Sequence, residues 1–553
     1  MFSTPLRGFL KPHCSRFKLS NASTTSFCRQ GTSSTRPTRF IDSRSMSSAS
    51  SNTSSSFTPR NAAIVLGLSL TSAMIGYHLA QSSRTTLPSK PKFGTPADFD
   101  KAIDELRQAF HDDADIVSTD TDDLRLHGFS ENDYHPGSPH TVVVYPRSTE
   151  DVVKVVKIAT KYRMPIIAYA GATSLEGHFR GHAKSDSDLV CQPGIGWVEI
   201  NDTLKEKGIP LFFPIDPAPG ATIGGMLSTG CSGTNAVRYG TSKGEWFLNA
   251  TVVLPSGEVI KTRRRSRKSS AGFDVTKLFI GAEGTLGIVT EVTIRLAPVL
   301  PTTVAVVHFP NVKKATEAVI EVMSQGVGIQ CVELLDDIFM HAINTYGQSS
   351  RKWPEMDSLF FKIQGHNKSS LKEYASIIKT IVEKHGGTGF QLAKDDKEAA
   401  DLWADRKNAL YSGLAIGPPG ARGWSTDVCV PVSKLPELVY ETKKDLASIG
   451  LVSTIVGHVG DGNFHSLILF SNDKEWEIAR GAVTRMVQRA IQMDGTCTGE
   501  HGVGIGKKKF LVEELGPGTV ELMRTIKRAV DPLGLFNPGK LYPDEDETKG
   551  DNR

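Results

Sequence analysis

The chain has 553 residues, 39% of them hydrophobic and 22% charged, which is typical of a globular protein with more than one domain. Residues 1–60 hold nine Lys or Arg and one acid, so the net charge of +4 becomes −4 over residues 61–553, and no nucleic-acid partner is indicated. The seven cysteines form no CxxC pair, which argues against a disulfide framework or a cysteine zinc site.

The N-terminal region has the composition of a targeting signal. Residues 1–60 are rich in Arg, Ser and Thr, as in a mitochondrial transit peptide, although a generic disordered tail has a similar composition. Residues 61–83 are uncharged and just long enough to span a bilayer. Together they predict an inner-membrane anchor with the rest of the chain facing the intermembrane space. In the alternative, the apolar stretch is removed with the presequence and the protein is soluble in the matrix.

Periodicity predicts a β-α-β unit near the start of the globular region. Residues 84–135 are predicted to be a helical lead-in, with helical spacing of apolar residues over 100–111. Residues 141–146 and 165–169 are predicted as buried strands, and the amphipathic stretch 149–162 between them as a helix.

The pattern changes near residues 298–301, where we place a domain boundary. Residues 249–259 and 287–296 are predicted as hairpin strands, whereas longer strands and helices, such as a helix over 312–323, follow residue 303. The sequence therefore predicts one domain over residues 136–300, a second over 301–543 and a polar tail over 544–553.

Glycine-rich segments bear on the cofactor. No GxGxxG motif follows a strand and opens a helix, so a nicotinamide cofactor has no support. Residues 170–174, 217–225 and 231–235 contain small and hydroxyl residues, which allow backbone amides to approach a pyrophosphate. Each segment alone is an ordinary turn, and only their clustering is suggestive.

Two C-terminal segments predict a metal site. The first is His458-Val-Gly-Asp-Gly-Asn-Phe-His465, and the second is Gly499-Glu500-His501-Gly-Val-Gly504. Two imidazole nitrogens from His458 and His465 and one oxygen from Glu500 can hold zinc, manganese or iron and leave a coordination position open. His501 would then stand beside the metal as a base. The alternative is a pair of glycine-rich loops with solvated histidines.

Several segments resemble a known flavoprotein family. Residues 165–178, 221–225, 232–240 and 278–289 are similar to the FAD-binding domain of the vanillyl-alcohol-oxidase, or PCMH-type, family. The metal-site motifs and residues 536–540 resemble its 2-hydroxy-acid dehydrogenase branch, and the likeness spans roughly residues 100–543. It implies an α+β fold, with a PCMH-type FAD-binding domain of two α/β subdomains and a C-terminal α+β substrate or cap domain built on an antiparallel sheet.

The resemblance also assigns site residues. It implies that the FAD pyrophosphate is bound by Ala170, Gly171, Ala172, Thr173 and Ser174. It places the rest of the cofactor against Pro217, Gly220, Thr222, Gly225, Ser232, Gly233, Glu283, Gly287, Ile288, Val289 and Asn537. The first phosphate loop has no family-type tethering histidine, so FAD is expected to be non-covalent. Arg406 matches the substrate-binding arginine of the family, and the alternative is a plain charge on a helix surface.

The function implied by the resemblance is FAD- and metal-dependent oxidation of D-lactate, or a similar short D-2-hydroxy acid, with cytochrome c as electron acceptor. The metal polarises the hydroxyl, His501 takes its proton, and the α-hydrogen passes to the flavin as hydride to give pyruvate. The alternatives are a D-2-hydroxyglutarate dehydrogenase of the same family and a non-redox enzyme of the alkylglycerone-phosphate synthase type.

Three residues favour the smaller substrate. The 2-hydroxyglutarate branch holds its second carboxylate with a Thr and a Lys, where this chain has Leu410 and Ser425. Leu410 and Trp424 are instead expected to form an apolar wall for a methyl group, so D-lactate is predicted to be preferred.

Overall fold

The computed structural model describes residues 92–128, 139–169 and 187–544. The predicted transit peptide, the apolar stretch 61–83, the phosphate loop Ala170–Ser174 and residues 545–553 of the tail lie outside these ranges. In the described part of the chain, no helix is both long enough and apolar enough to cross a membrane.

The first described lobe is small and packs two helices together. The longer helix begins after Thr95, which forms a capping box with Asp98, and buries Ala102 and Leu106 against Ile158 of the other helix. The lobe contains helices Pro96–Ala109, Thr121–Gly128 and Thr149–Lys161, the 3-10 turn Ala114–Ile116, and paired strands Val117–Ser118 and Val143–Val144.

The second lobe is built on a four-stranded antiparallel sheet. Its strands lie in the order Asp188–Cys191, Ile288–Arg295, Phe247–Val253 and Val259–Lys261, and a separate pair joins Leu211–Phe212 to Ala297–Pro298. The core includes Phe213, Phe247 and Ile294, all at most 1% exposed. The helices of this lobe are Trp197–Glu206, Ile223–Thr229, Ala236–Tyr239 and Thr276–Phe279.

The C-terminal half contains an eight-stranded antiparallel sheet. Seven strands follow the order Thr388–Leu392, Thr302–Phe309, Asp357–Gln364, Ile329–Leu335, Ser453–Gly457, Asn463–Phe470 and Arg422–Ser425, and Val428–Cys429 pairs with Asn463–Phe470. Side chains alternate between the two faces, so Val307 joins one apolar core and Val306 the other.

Helices cover both faces of this sheet. Core residues on one face come from helices Val312–Ser324, Lys368–Lys384, Leu435–Ser448 and Asp473–Gln492. The other face packs against Asp337–Tyr346 and Asp396–Lys407. The remaining elements are helices Ala409–Ala415 and Leu511–Val530 and 3-10 turns Val432–Lys434 and Lys508–Phe510.

Residues 165–169 form no strand, contrary to the sequence prediction. Ile166 makes a single parallel bridge to Phe536, because its amide donates to Leu535 O (2.9 Å) and its carbonyl accepts from the amide of Asn537 (2.9 Å). The C-terminal segment, residues 531–537, therefore completes the first lobe and buries Phe536 against its Val156.

Candidate active site

A tight turn between two sheet strands presents the two motif histidines. His458 directly follows strand Ser453–Gly457, and His465 lies in strand Asn463–Phe470, opposite Val456. Gly462 has a φ of 81°, and a Cβ there would lie 1.9 Å from the carbonyl oxygen of Val430. Only glycine fits this turn, because both the backbone conformation and the close approach exclude a side chain.

Three side chains converge into a possible metal site. One ligand atom from each of His458, His465 and Glu500 lies within 4.8 Å of the other two. Glu500 Oε1 is 3.1 Å from His458 Nε2 and 3.2 Å from His465 Nε2. The two histidines are less than 10% exposed. The structure therefore brings together the three residues that the sequence pattern singled out. Their two nitrogens and one carboxylate oxygen suit a divalent metal.

The second nitrogen of each histidine is held by an oxygen acceptor. His458 Nδ1 lies 2.9 Å from Glu333 Oε1, and His465 Nδ1 lies 2.9 Å from the carbonyl oxygen of Thr426. Both Nδ1 atoms therefore donate, so in a neutral ring Nε2 is the nitrogen that can ligate a metal ion. This arrangement is common around histidines that ligate metals, so the residues fit the predicted ion.

Glu333 links the metal site to Arg406. It is fully buried in strand Ile329–Leu335, and its Oε2 accepts from Arg406 Nε (3.0 Å) and Nη2 (2.6 Å). The Arg406 side chain is only 11% exposed, which argues against a plain surface charge. Sequence reasoning missed Glu333, although it is the one charged residue in an otherwise neutral strand whose seven residues are all buried.

His501 stacks on the ring of His465. Its ring is nearly parallel to that of His465, with the ring centroids 4.9 Å apart. Burial lowers the pKa of His501 to about 4, so the ring is neutral at physiological pH. A neutral imidazole beside the metal site can accept a proton.

Asp427 organises the loop that carries Glu500 and His501. Its Oδ2 accepts from the backbone amides of both residues (2.9 Å each), and Lys507 Nζ lies 3.4 Å away. Although burial raises the pKa of Asp427, Lys507 and the nearby histidines keep it well below its usual range. Gly499 leaves room for this contact, since a Cβ there would lie 2.3 Å from Asn463 Nδ2. Asp427 was also missed from the sequence.

Part of the predicted flavin surface reaches the metal site. Ser232 Oγ donates to Glu500 Oε2 (2.8 Å), so a residue assigned to the cofactor contacts a predicted metal ligand. Gly233 has a φ of 153° and packs so closely on Asp216 that a Cβ would lie 2.5 Å from its carbonyl oxygen. Pro217 and Gly220 lie in the loop before helix Ile223–Thr229, which begins after Thr222 and contains Gly225.

The other predicted flavin residues are Asn537, its partner Glu283, and three residues around the start of strand Ile288–Arg295. Asn537 Nδ2 donates to the carbonyl oxygen of Glu283 (2.5 Å), and its buried Oδ1 has no partner among the described residues. An unpaired buried acceptor here fits a ligand with N–H donors, such as a flavin ring. A Cβ on Gly287 would lie 2.6 Å from Val252 Cγ1. Strand Ile288–Arg295 then begins with Ile288 and Val289.

The Glu283 side chain points to a different contact. Its carboxylate accepts from the backbone amides of Val503 (2.6 Å) and Gly504 (2.9 Å), in the loop that also carries His501.

The predicted apolar wall at Trp424 is wrong. Trp424 pairs with Ile468, an odd number of residues from His465, and so lies on the opposite face of the sheet, where it stacks on Trp476. Ser425 pairs with Leu467 and shares the face of His465. Leu410 is 47% exposed.

Two family models match most of the described chain. The model described as FAD binding domain matches residues 140–263, and FAD linked oxidases, C-terminal domain, matches residues 301–541. Two solved structures share the fold over 82% of this chain and 99% of their own. They are 4-ethylphenol oxidase from Gulosibacter chungangensis (TM-score 0.67, 16% identity) and p-cresol methylhydroxylase (TM-score 0.66, 18% identity). The predicted α+β, PCMH-type fold class is confirmed.

Fold and site together define a flavin-dependent oxidoreductase. The chain is 40% identical over 499 residues to D-lactate dehydrogenase [cytochrome] 1, mitochondrial, of Saccharomyces cerevisiae, over 85% of this chain and 84% of the yeast protein. It is 43% identical over 450 residues to D-lactate dehydrogenase [cytochrome], mitochondrial, of Arabidopsis thaliana, over 78% of each. It is 28% identical to D-2-hydroxyglutarate dehydrogenase of Xanthomonas citri, over 73% of this chain and 89% of that protein. The chain belongs to the PCMH-type, or vanillyl-alcohol-oxidase, family of FAD-linked oxidases.

Proposed function

We propose that the protein oxidises D-lactate to pyruvate, using FAD and a divalent metal, and passes the electrons to cytochrome c. The observation that carries the proposal is the convergence of His458, His465 and Glu500 beside the neutral ring of His501. The choice of substrate and acceptor is supported by the names of the relatives that are 40–43% identical. The 2-hydroxyglutarate relative is less similar, at 28% identity.

The site residues divide the work of the reaction. When bound, FAD accepts the two electrons of the oxidation, and a metal held by His458, His465 and Glu500 lowers the pKa of the substrate hydroxyl. His501 accepts the hydroxyl proton, which its neutral ring permits. Glu333 and the Thr426 carbonyl keep the two ligand histidines in the tautomer that ligation needs.

Arg406 is the cation for the substrate carboxylate. Its bonds to Glu333 use Nε and Nη2, and the guanidinium carries further N–H donors on Nη1. Because Glu333 also binds His458, the arginine is held at a fixed position relative to the metal site. Such fixed placement orients the substrate for reaction.

The expected preference for D-lactate depends on the missing second cation. Ser425 lies on the His465 face of the sheet but offers no positive charge to a distal carboxylate, and neither does Leu410. Burying a carboxylate without a partner is costly. We therefore expect kcat/KM for D-lactate to exceed that for D-2-hydroxyglutarate by at least about tenfold, a ratio that needs only about 1.4 kcal/mol.

The test is an assay of purified holoprotein with D-lactate, L-lactate and D-2-hydroxyglutarate, using an artificial dye and then cytochrome c as acceptor. The expected result is turnover with D-lactate and reduction of cytochrome c. A Ser425→Lys variant should shift the preference toward the diacid, with Ser369→Lys, at an exposed position in the same half, as a control. Equal rates on the two acids in the wild type would contradict the assignment.

We also propose a mitochondrial location. Its support is the transit-like composition of residues 1–60 and the word mitochondrial in the names of the relatives.

A further inference from the structure

Two buried carboxylates, one from each half of the chain, accept hydrogen bonds from the backbone of residues 499–504. We call these residues the catalytic loop. Asp427 of the C-terminal half binds its first residues, and Glu283 of the FAD-binding half binds its last ones. We propose that the two act as separate positioning residues: Asp427 fixes the metal ligand Glu500, and Glu283 fixes the distance between His501 and the flavin. This inference deepens the proposed function and rests on it for the reaction step.

Asp427 is surrounded by hydrogen-bond donors. Besides the amides of Glu500 and His501, its Oδ2 accepts from Thr498 Oγ (2.8 Å), and its Oδ1 accepts from Asn463 Nδ2 (2.8 Å). Since donors face both oxygens, an asparagine at this position would point its own N–H groups at a donor in either orientation. The two amides belong to Glu500 and His501 themselves, so losing their hydrogen bonds to Asp427 moves both residues.

Glu283 contacts a different part of the catalytic loop. Its two carboxylate oxygens bind one amide each, those of Val503 and Gly504, and the residue is only 5% exposed. It has a φ of 52°, a conformation that non-glycine residues keep only where the surroundings hold them in it. Its carbonyl oxygen is one of these restraints, because it accepts from Asn537 Nδ2.

The two contacts predict different defects. The amides bound by Glu283 lie two and three residues after His501, beyond the metal ligand. Losing the hydrogen bonds to Glu283 loosens the catalytic loop against the FAD-binding half. Glu500 is still held by Asp427 and Ser232. Losing Asp427 releases Glu500 at its own backbone.

The experiment compares Asp427→Asn and Glu283→Gln holoproteins with Asp188→Asn. Asp188 is a matched control because it is also a buried carboxylate, 3% exposed, but lies in the four-stranded sheet beside Arg265. Four quantities are measured: zinc affinity by chelator competition, FAD per chain, the rate of flavin reduction in a single turnover, and hydrogen exchange of the loop amides.

We expect Asp427→Asn to weaken zinc affinity by about 10–100-fold, the usual cost of losing a partner that orients a ligand. Glu283→Gln should keep zinc affinity and FAD content, expose the amides of Val503 and Gly504 to faster exchange, and slow flavin reduction by up to about 10²-fold with little change in KM. Asp188→Asn should change none of these.

Wild-type zinc affinity in Asp427→Asn, or loss of FAD in Glu283→Gln, would overturn the proposal. If Asp427→Asn does not fold, Thr498→Val removes one bond to the same oxygen and should weaken zinc binding in the same direction. Zinc affinity, FAD content and exchange do not depend on the substrate. If the variants show the expected zinc affinity, FAD content and exchange while the wild type fails to oxidise D-lactate, the proposed function is refuted. That result would not refute the positioning roles of Asp427 and Glu283.

Discussion

The three histidines of the site differ in what surrounds them. Burial alone would lower the pKa of His458, but Glu333 and Glu500 raise it well above its usual range when no cation shares the site. Burial is the largest influence on His501 and outweighs the effect of the nearby Asp427, so the pKa of His501 falls to about 4. The carboxylates thus attract a positive charge to His458, whereas His501 stays neutral and available as a base.

Replacing His501 should separate catalysis from cofactor binding. His501→Ala is expected to lower turnover by about 10²–10⁴-fold, the usual contribution of one acid or base, and to leave bound FAD unchanged. Turnover is measured with D-lactate and a dye, and FAD by its absorbance. The control is His308→Ala, a buried histidine bonded to Ser358 away from the site. Activity close to that of the wild type would remove His501 from the mechanism.

Glu333 is expected to support metal binding although it is not a ligand. Glu333→Gln should weaken metal affinity by about 10–100-fold, because the amide no longer holds the Nδ1 proton of His458 with a charged acceptor.

Replacing a predicted ligand should have a larger effect. The variants Glu500→Gln, His458→Ala and His465→Ala should lose metal and activity together, and added metal should restore activity to chelated wild type. Elemental analysis after dialysis measures the metal content of each variant, and turnover of D-lactate with a dye measures its activity. Full activity in metal-free protein would refute the metal role.

Only part of this site can be predicted from sequence. His458, His465, Glu500 and His501 stand out because the spacing and chemistry of metal ligands are local. Glu333 and Asp427 do not, because their roles depend on strands that lie far away in sequence and adjacent in the sheet. Which residues support the site is therefore known only once the pairing of the strands is known.

At the scale of elements, the cap of helix Asp337–Tyr346 contains a buried acid. Asp336 caps this helix by accepting from the amide of Phe339, and burial raises its pKa to about 7. Lys443 lowers this pKa, but the nearby Asp357 and Asp337 raise it further. The folded state therefore favours the protonated form. The stability that this proton contributes is fully present below the unfolded pKa of about 4 and is lost as the pH rises to about 7.

An Asp336→Asn variant should become more stable relative to the wild type as the pH rises. Asparagine keeps the helix cap but carries no charge to bury. Thermal melts between about pH 5 and about pH 8 should show a growing difference in Tm in favour of the variant. Asp395→Asn, at the exposed cap of helix Asp396–Lys407, is the matched control and should show a smaller trend. A constant difference across this range would contradict the prediction.

Elements were predicted well where periodicity decides them. The amphipathic helices Thr149–Lys161 and Val312–Ser324 end within one residue of the predicted bounds, because their apolar faces pack locally. The strand predicted at 165–169 failed since its pairing partner, Phe536, is hundreds of residues away. The prediction that Trp424 lines the substrate site was wrong for a related reason, because the face on which a side chain lies depends on strand register.

At the scale of the whole molecule, location in the cell can be tested directly. If residues 61–83 anchor the chain in the inner membrane, protease added to mitoplasts should digest the protein, and carbonate extraction should leave it in the pellet. A variant lacking residues 61–83 is the control and should be released by carbonate. Protection of the full chain from protease would place it in the matrix and would disfavour cytochrome c as the direct acceptor.

The bridge between Ile166 and Phe536 has a consequence for the order of assembly. The first lobe precedes the bulk of the chain, yet it is completed by residues 531–537, which are synthesised after every strand of the C-terminal sheet. Asn537, whose Oδ1 has no partner among the described residues, is synthesised at the same stage. A chain that is still being synthesised can fold its C-terminal sheet before residues 531–537 complete the first lobe. Binding of the flavin to a complete site would then wait for residues 531–537, and a chain truncated before residue 531 would lack the contact that completes the lobe.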